Sequence, residues 1–380
     1  MALLAQAPSR PPAAPDHGAI ERASSLRHLG PNWYAAVMGT SIVAAAGAAL
    51  PLSGPGLRGV WEAVWVLSAL MLVTLLAART VHWVRHGDQA RRHLLDPAVA
   101  PFYGCLAMAL LAVGGGALAV GPGVIGHRAA LAVDVVLWSV GTAAGLAAAV
   151  TVPYLMVTRH RIAADSASPV WLLPLVAPMV SAALGPALVP ALPPGQWQRV
   201  MLLGCFALFG MSLLATLIVL PLVMARLFRH GPLPLTLTPA LFLVLGPLGQ
   251  STTAVGHLAD AAPGVVDASV AQAMGAFAVL YGVPVMGFAL LWLALATAMV
   301  VRAFRDGMPF AMTWWGFTFP LGTCVTGAAG LAGHTGLAAF DWLATALFAV
   351  LLTAVAVTGT RTVLGLARGQ LLAPPQPVTR

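Results

Sequence analysis

Short arginine-bearing loops cut the sequence into ten long apolar runs, and half of those runs contain no Arg, Asp or Glu at all. A hydrocarbon core about 30 Å thick is crossed by about 20 helical residues. The runs cover 31–50, 60–84, 98–120, 129–157, 168–190, 197–228, 235–258, 268–302, 309–331 and 336–366. Only 8% of the residues are charged and 59% are apolar, whereas soluble domains carry about 25% charge. The expected fold is therefore an all-α polytopic membrane protein with ten transmembrane helices.

The charge that remains is one-sided in kind and in place. Nineteen Arg and no Lys face eleven acidic residues. In a soluble chain this excess would suggest nucleic acid as a partner, but here the Arg stand at the ends of apolar runs. Sixteen of the 19 fall in alternate loops and tails, from Arg10 to Arg380, while Arg58, Arg128 and Arg199 alone fall in the others. By the positive-inside rule both termini are expected on the cytoplasmic side of a bacterial-type inner (plasma) membrane, with no nucleic acid bound. Segment 1–29 reads as a disordered cytoplasmic tail, 30–368 as the transport domain and 369–380 as a second tail. Cys105, Cys205 and Cys324 stand apart, so neither a disulfide framework nor a metal site is expected.

Each odd-numbered run begins at or just after a proline: Pro31, Pro97, Pro169, Pro234 and Pro309, separated by 66, 72, 65 and 75 residues. That near-constant period predicts a helical hairpin repeated five times in parallel orientation. The odd runs also carry internal breakers, among them Gly39, Gly104, Pro178, Gly185, Gly246, Pro247, Gly316 and Pro320. Broken backbone at membrane depth survives only where protein buries it or water lines it. The odd helices are thus expected as an inner ring around a central pore. The longer even helices, rich in Leu, Val and Ala, are expected as an outer ring.

Four stretches resemble the tellurite-resistance/dicarboxylate transporter family: "GPNWYAAVMGTSIVA" (30–44), "PLVAPMVSAALGP" (174–186), "PALFLVLGPLGQS" (239–251) and "PFAMTWWGFTFPLGT" (309–323). That family includes bacterial tellurite-resistance proteins, fungal malic acid carriers and sulfite efflux pumps, and plant slow anion channels. The resemblance runs from Gly30 to about Gly365. It implies five hairpins around a pore, a homotrimer, passage of small inorganic or carboxylate anions, and a pore plugged by a phenylalanine of the ninth helix. Aligned on "WWGFTFP", that phenylalanine is Phe319.

Helical periodicity adds to this. At 100° per residue Gly316, Phe319, Thr323, Thr326 and Gly330 share one stripe of the ninth run, and Phe319 is its sole large side chain. Phe317 falls on the opposite, packing side. Pro320 lacks an amide hydrogen and is expected to bend the helix beside the ring, as Pro178 and Pro247 bend theirs. Conduction needs an ion held weakly, and hydroxyls meet that need better than a fixed Arg. The expected pore lining is Gly39, Thr40, Ser41, Ser181, Gly246, Ser251, Thr252, Gly316, Thr323, Thr326 and Gly330. Trp314 and Trp315 read as anchors at the membrane interface.

Other candidates are weaker. His82 and His86 beside Arg79 read as a basic cluster touching anionic lipid. His257 and His334 close the seventh and ninth runs and could carry a proton. Glu62 and Asp134 read as stabilising, with Arg199 as a partner for one of them. Gly141 and Gly145 form a small-xxx-small pattern for helix packing. No phosphate loop, nucleophile elbow or carboxylate cluster is visible, so no enzyme and no cofactor are expected. Two functions remain: an anion channel or exporter occluded by Phe319, or a proton-coupled carrier for C4-dicarboxylates, sulfite or tellurite. A membrane sensor or scaffold ranks last.

Overall fold

The computed structural model describes residues 25–51, 54, 56–163 and 165–372. Twelve α-helices follow one another: α1 (Tyr34–Ala49), α2 (Leu57–Arg85), α3 (Gly87–Leu95), α4 (Gly104–Ala119), α5 (Pro122–Ile125), α6 (His127–Thr158), α7 (Leu172–Leu184), α8 (Gln196–His230), α9 (Leu245–Ala261), α10 (Ala268–Arg305), α11 (Phe319–Thr335) and α12 (Ala338–Ala367). No strand occurs among the described residues. Among the described residues seven stretches are long and apolar enough to cross a membrane: α2, α6, α8, α10, α12, Ala100–Ala119 and Pro169–Ala191.

The helices fall into two classes for a local reason. α1, α4, α7, α9 and α11 are each entered through a 3-10 turn, namely Pro31–Trp33, Ala100–Tyr103, Pro169–Trp171, Leu235–Val244 and Met312–Phe317. Those turns sit at or just after the periodic prolines, where a missing amide hydrogen costs little. They leave α-helices of only 13 to 17 residues. Around them stand α2, α6, α8, α10 and α12, of 29 to 38 residues. The most apolar stretch of each long helix is only 22 to 28% buried, against 67% for Ala100–Ala119 and 83% for Pro169–Ala191. The apolar side chains left uncovered, such as Leu70, Val150, Leu214, Leu280 and Val363, suit contact with lipid rather than water.

α1 packs against α4, α4 against α7, α7 against α9 and α9 against α11, and α11 returns to α1. Each of these five also packs against the long helix that follows it in sequence. Small residues set the approach. Gly141 and Gly145 bring α6 onto α4 and α7, with Leu111, Ala107 and Ala177 where a Cβ would stand. Trp314 and Trp315, expected at an interface, are instead 6% and 3% exposed. Their indole hydrogens are taken up inside the protein, by the Pro309 carbonyl and the Thr362 hydroxyl.

At the arginine-bearing end, part of the expected tail is structured. Ser25–His28 forms a 3-10 turn and Leu29 is buried; residues 1–24 and 373–380 lie outside the described residues. Arg79 and His82, expected to face lipid, are buried, because they hold this segment. Arg79 donates to the Leu29 carbonyl at 2.5 Å, and His82 Nδ1 meets the Leu26 carbonyl at 2.8 Å. His93 of α3 stacks on His82 with ring centroids 5.5 Å apart. Burial pushes His93 down to about 4 from its ordinary 6.5, with Arg79, His82 and His28 adding to the shift and Asp96 opposing it. A histidine released to water takes up a proton below 6.5, whereas the docked one resists until about 4. Docking of this corner is therefore complete above the ordinary value and weakens as pH falls through that window. Hydrogen exchange of residues 26–29 and 87–95, corrected for its intrinsic pH dependence, should accelerate between pH 6.5 and 4. His93→Gln should flatten that response.

Candidate functional site

The break expected at Pro320 lies in front of it. The 3-10 turn ends at Phe317, Thr318 takes φ −97° and ψ −76°, and α11 starts at Phe319 with Pro320 in its first turn. Pro247 likewise stands in the first turn of α9, behind a ten-residue 3-10 segment. Of the three prolines expected to kink helices, Pro178 alone is interior to one. Proline in a first turn leaves no hydrogen bond unmade, so the junctions bend without an orphaned carbonyl having to be invoked.

A cavity of about 630 Å³ opens among α1, α4, α7, α9 and α11, toward the ends of the helices away from the arginine-bearing loops. α1 contributes Ile42 and Ala45, α4 contributes Gly115 and Gly116, and α7 contributes Val180 and Leu184. α9 presents Gln250, Thr253, His257 and Asp260; α11 presents Phe319, Thr326, Gly330, Gly333 and His334. Phe319 is 2% exposed. It also lines a pocket of only about 10 Å³ with Met38, Leu243 and Gly246, and a second of the same size, holding Gly316 and Met312, lies further toward the arginine-bearing end. A volume near 10 Å³ is about the least that holds one water. The space is therefore wide on one side of the Phe319 ring and pinched on the other.

Among the residues expected to line a pore, Phe319, Thr326 and Gly330 meet in the large cavity, and Gly246 and Gly316 line the two narrow pockets. The rest lie elsewhere. Thr40 donates to the Ala36 carbonyl, Ser41 to Ala112, Ser251 and Thr252 to Leu248, and Thr323 to Pro320. Ser181 accepts from Thr142 at 2.9 Å. Ser251 faces a separate apolar crevice of about 300 Å³ bounded by α8 and α10. Gly39 sits against Thr318 and Trp315. A hydroxyl inside a helix satisfies itself on the carbonyl of the preceding turn, and most of these do so.

The polar groups that do reach the cavity include several that the sequence reading passed over as lining residues. Gln250, Thr253, His257 and Asp260 recur at three- and four-residue spacing, one stripe of α9, and that periodicity was the available signal. Thr253 and Thr326 bridge α9 and α11 at 2.8 Å. His257 Nδ1 lies 2.7 Å from the Ala183 carbonyl, which can only accept, so that nitrogen carries the hydrogen. His334 Nε2 lies 3.4 Å from Asp260 Oδ1. Arg199 pairs with neither Glu62 nor Asp134, because it donates to the Val265 carbonyl and Arg58 takes Glu62. Among the described residues no group of three or more His, Cys, Asp or Glu is placed to hold a metal ion.

A broken helix ring around a cavity with hydroxyl, amide and imidazole groups, and no Arg on its wall, invites comparison with known transporters. The model of the voltage-dependent anion channel family matches residues 28–363. The chain belongs to that family. Among its relatives, an uncharacterised transporter of Methanocaldococcus jannaschii is 25% identical over 79% of this chain and 82% of its own length. Sulfite efflux pumps of Trichophyton rubrum and Arthroderma otae are 26% and 27% identical, each over 87% of this chain and 88% of theirs. The family match spans all five broken helices, so the cavity lies within the shared region.

The α9–α11 contact carries this site, because Thr253, Thr326 and Phe319 take their positions from it. Gly249 makes it possible: a Cβ there would lie 2.5 Å from the Cys324 nitrogen and the Thr323 carbonyl carbon. Backbone cannot yield as a side-chain tip can. Gly249→Ala should therefore cost about 1–3 kcal/mol, the usual range for overpacking, and lower the melting temperature in detergent. Gly275→Ala in α10, where nothing lies within 4 Å, should leave it unchanged or slightly raise it.

Proposed function

We propose that the protein is an anion channel or exporter whose pathway runs along the axis of the five short helices and is occluded by Phe319. The observation that carries this reading is the position of that ring, between a 630 Å³ cavity and pockets of about 10 Å³. In this reading ten helical segments cross the bilayer as five hairpins, with the short helices inside and the long ones facing lipid. Both termini lie on the arginine-rich, cytoplasmic side. The resemblance adds a homotrimer in a bacterial-type inner membrane.

The chemistry of the wall supports anions as cargo. The Gln250 side-chain amide, on the cavity wall with no protein partner among the described residues, offers hydrogens that recognise negative charge without the tight hold of a buried guanidinium. A cell-negative potential of about 100 mV contributes roughly 2.3 kcal/mol per charge toward export. Efflux is thus the natural direction for a passive path, and sulfite, the cargo in the names of two relatives, is a reasonable first substrate. The competing reading is a proton-coupled carrier for sulfite, tellurite or C4-dicarboxylates, supported by His257 and His334 on the cavity wall.

Proteoliposomes under an imposed potential, with equal pH inside and out, separate the two. Phe319→Ala should raise anion flux about tenfold or more, the equivalent of removing roughly 1.4 kcal/mol of barrier. Unchanged or lower flux in a folded mutant would sink the occlusion. Flux that appears only under a pH gradient, and weakens with His257→Gln or His334→Gln, would favour the carrier.

A further inference from the structure

One side chain on the cavity wall comes from outside the ring of short helices. It is Asp134 of α6, at 1% exposure. Neither of its carboxyl oxygens has a hydrogen-bond partner among the described residues. Room for it is made by Gly114 of α4, where a Cβ would come within 2.8 Å of Asp134 Oδ1. The cavity-facing positions of α4 and α7 beside it are Gly115, Gly116 and Leu184, none of them titratable. The titratable groups on the wall opposite are His257 and Asp260 of α9 and His334 of α11, and α1 brings none. Glu62 of α2 is engaged by Arg58.

An ionised carboxylate in that place would have neither a counter-charge nor a donor, which burial penalises heavily. It would also oppose any anion entering the cavity. A neutral carboxylic acid reverses both effects, since its O–H is a hydrogen-bond donor. Both oxygens are covered in the structure, so the anion is met by a turn of the side chain toward the cavity that Asp134 lines. We infer that Asp134 carries a proton and belongs to the anion site: once turned, its O–H donates to a small oxyanion in the cavity, and loss of that proton to solvent closes the site by repulsion. The inference rests on the anion reading proposed above. It gives the protein a pH response in which alkaline conditions shut the pathway.

Two measurements on the full chain in proteoliposomes test it, with nitrate as the probe because nitrate does not itself titrate near neutrality. The first is infrared difference spectroscopy at neutral pH. A protonated carboxyl band should be present, vanish in Asp134→Asn, and shift when nitrate is added. The second is nitrate flux at equal pH on both sides. Wild-type flux should fall as pH rises, approaching about tenfold per pH unit once a single site has lost its proton, whereas Asp134→Asn, which keeps a donor but cannot ionise, should stay level. A missing band, a band indifferent to nitrate, or an Asp134→Asn profile that follows the wild type overturns the inference. A responsive band in a protein that passes no nitrate keeps the inference and overturns the transport reading instead. Gly114→Ala, which crowds the same carboxyl, is the second variant should Asp134→Asn fail to fold: the band should move with it, and an unmoved band counts against Asp134 as its source.

Discussion

Everything at bilayer depth in this protein answers to one constraint: a polar group with no water beside it must find its partner inside the protein. The long helices meet it largely by continuity, with single interior prolines at Pro153, Pro221 and Pro284 of α6, α8 and α10. The short helices break that continuity five times, and the structure repairs each break with a 3-10 turn at a proline, in a place where protein covers it. The hydroxyls obey the same rule. Thr40, Thr252 and Thr323 donate to carbonyls one turn back, so polar residue types on a broken helix do not by themselves make a polar lining.

Local bonding does not decide what reaches the cavity either, since the Thr253 and Thr326 hydroxyls also lie within hydrogen-bond distance of carbonyls one turn back, those of Gly249 and Thr323. Long or ring side chains such as Gln250 and His257 extend past their own backbone, and Thr253 and Thr326 meet each other across two helices. The close approach of α9 and α11 decides which residues those are. Without a side chain at Gly249 the two backbones touch, which turns Thr323 inward toward the Leu245 and Gly246 carbonyls and leaves Thr326 facing the open space.

The same economy explains the arginine-bearing end. Arg79 and His82 look like surface groups by type and position, yet both are buried because they bond the carbonyls of Leu29 and Leu26 and so hold this segment against α2. Charge near a span end thus serves two roles. The loop Arg are those from which an orientation in the membrane is expected, and Arg79 fastens a segment of the chain.

The sequence by itself determined the class of protein, the division into broken and continuous helices, the proline-led repeat and the family, because hydrophobic length, charge position and proline spacing are local properties that need no partner. It also singled out Phe319, since one large ring on a stripe of small residues is visible in helical periodicity alone. Tertiary structure decided the rest. Whether Thr323 or Thr326, Ser251 or Thr253, meets the cavity depends on how neighbouring helices rotate against one another. That rotation is set by contacts between residues some seventy positions apart, such as Thr253 with Thr326. Asp134 stands on a helix whose pattern says lipid, and only the packing of α6 against the glycines of α4 brings this residue to the wall of the cavity.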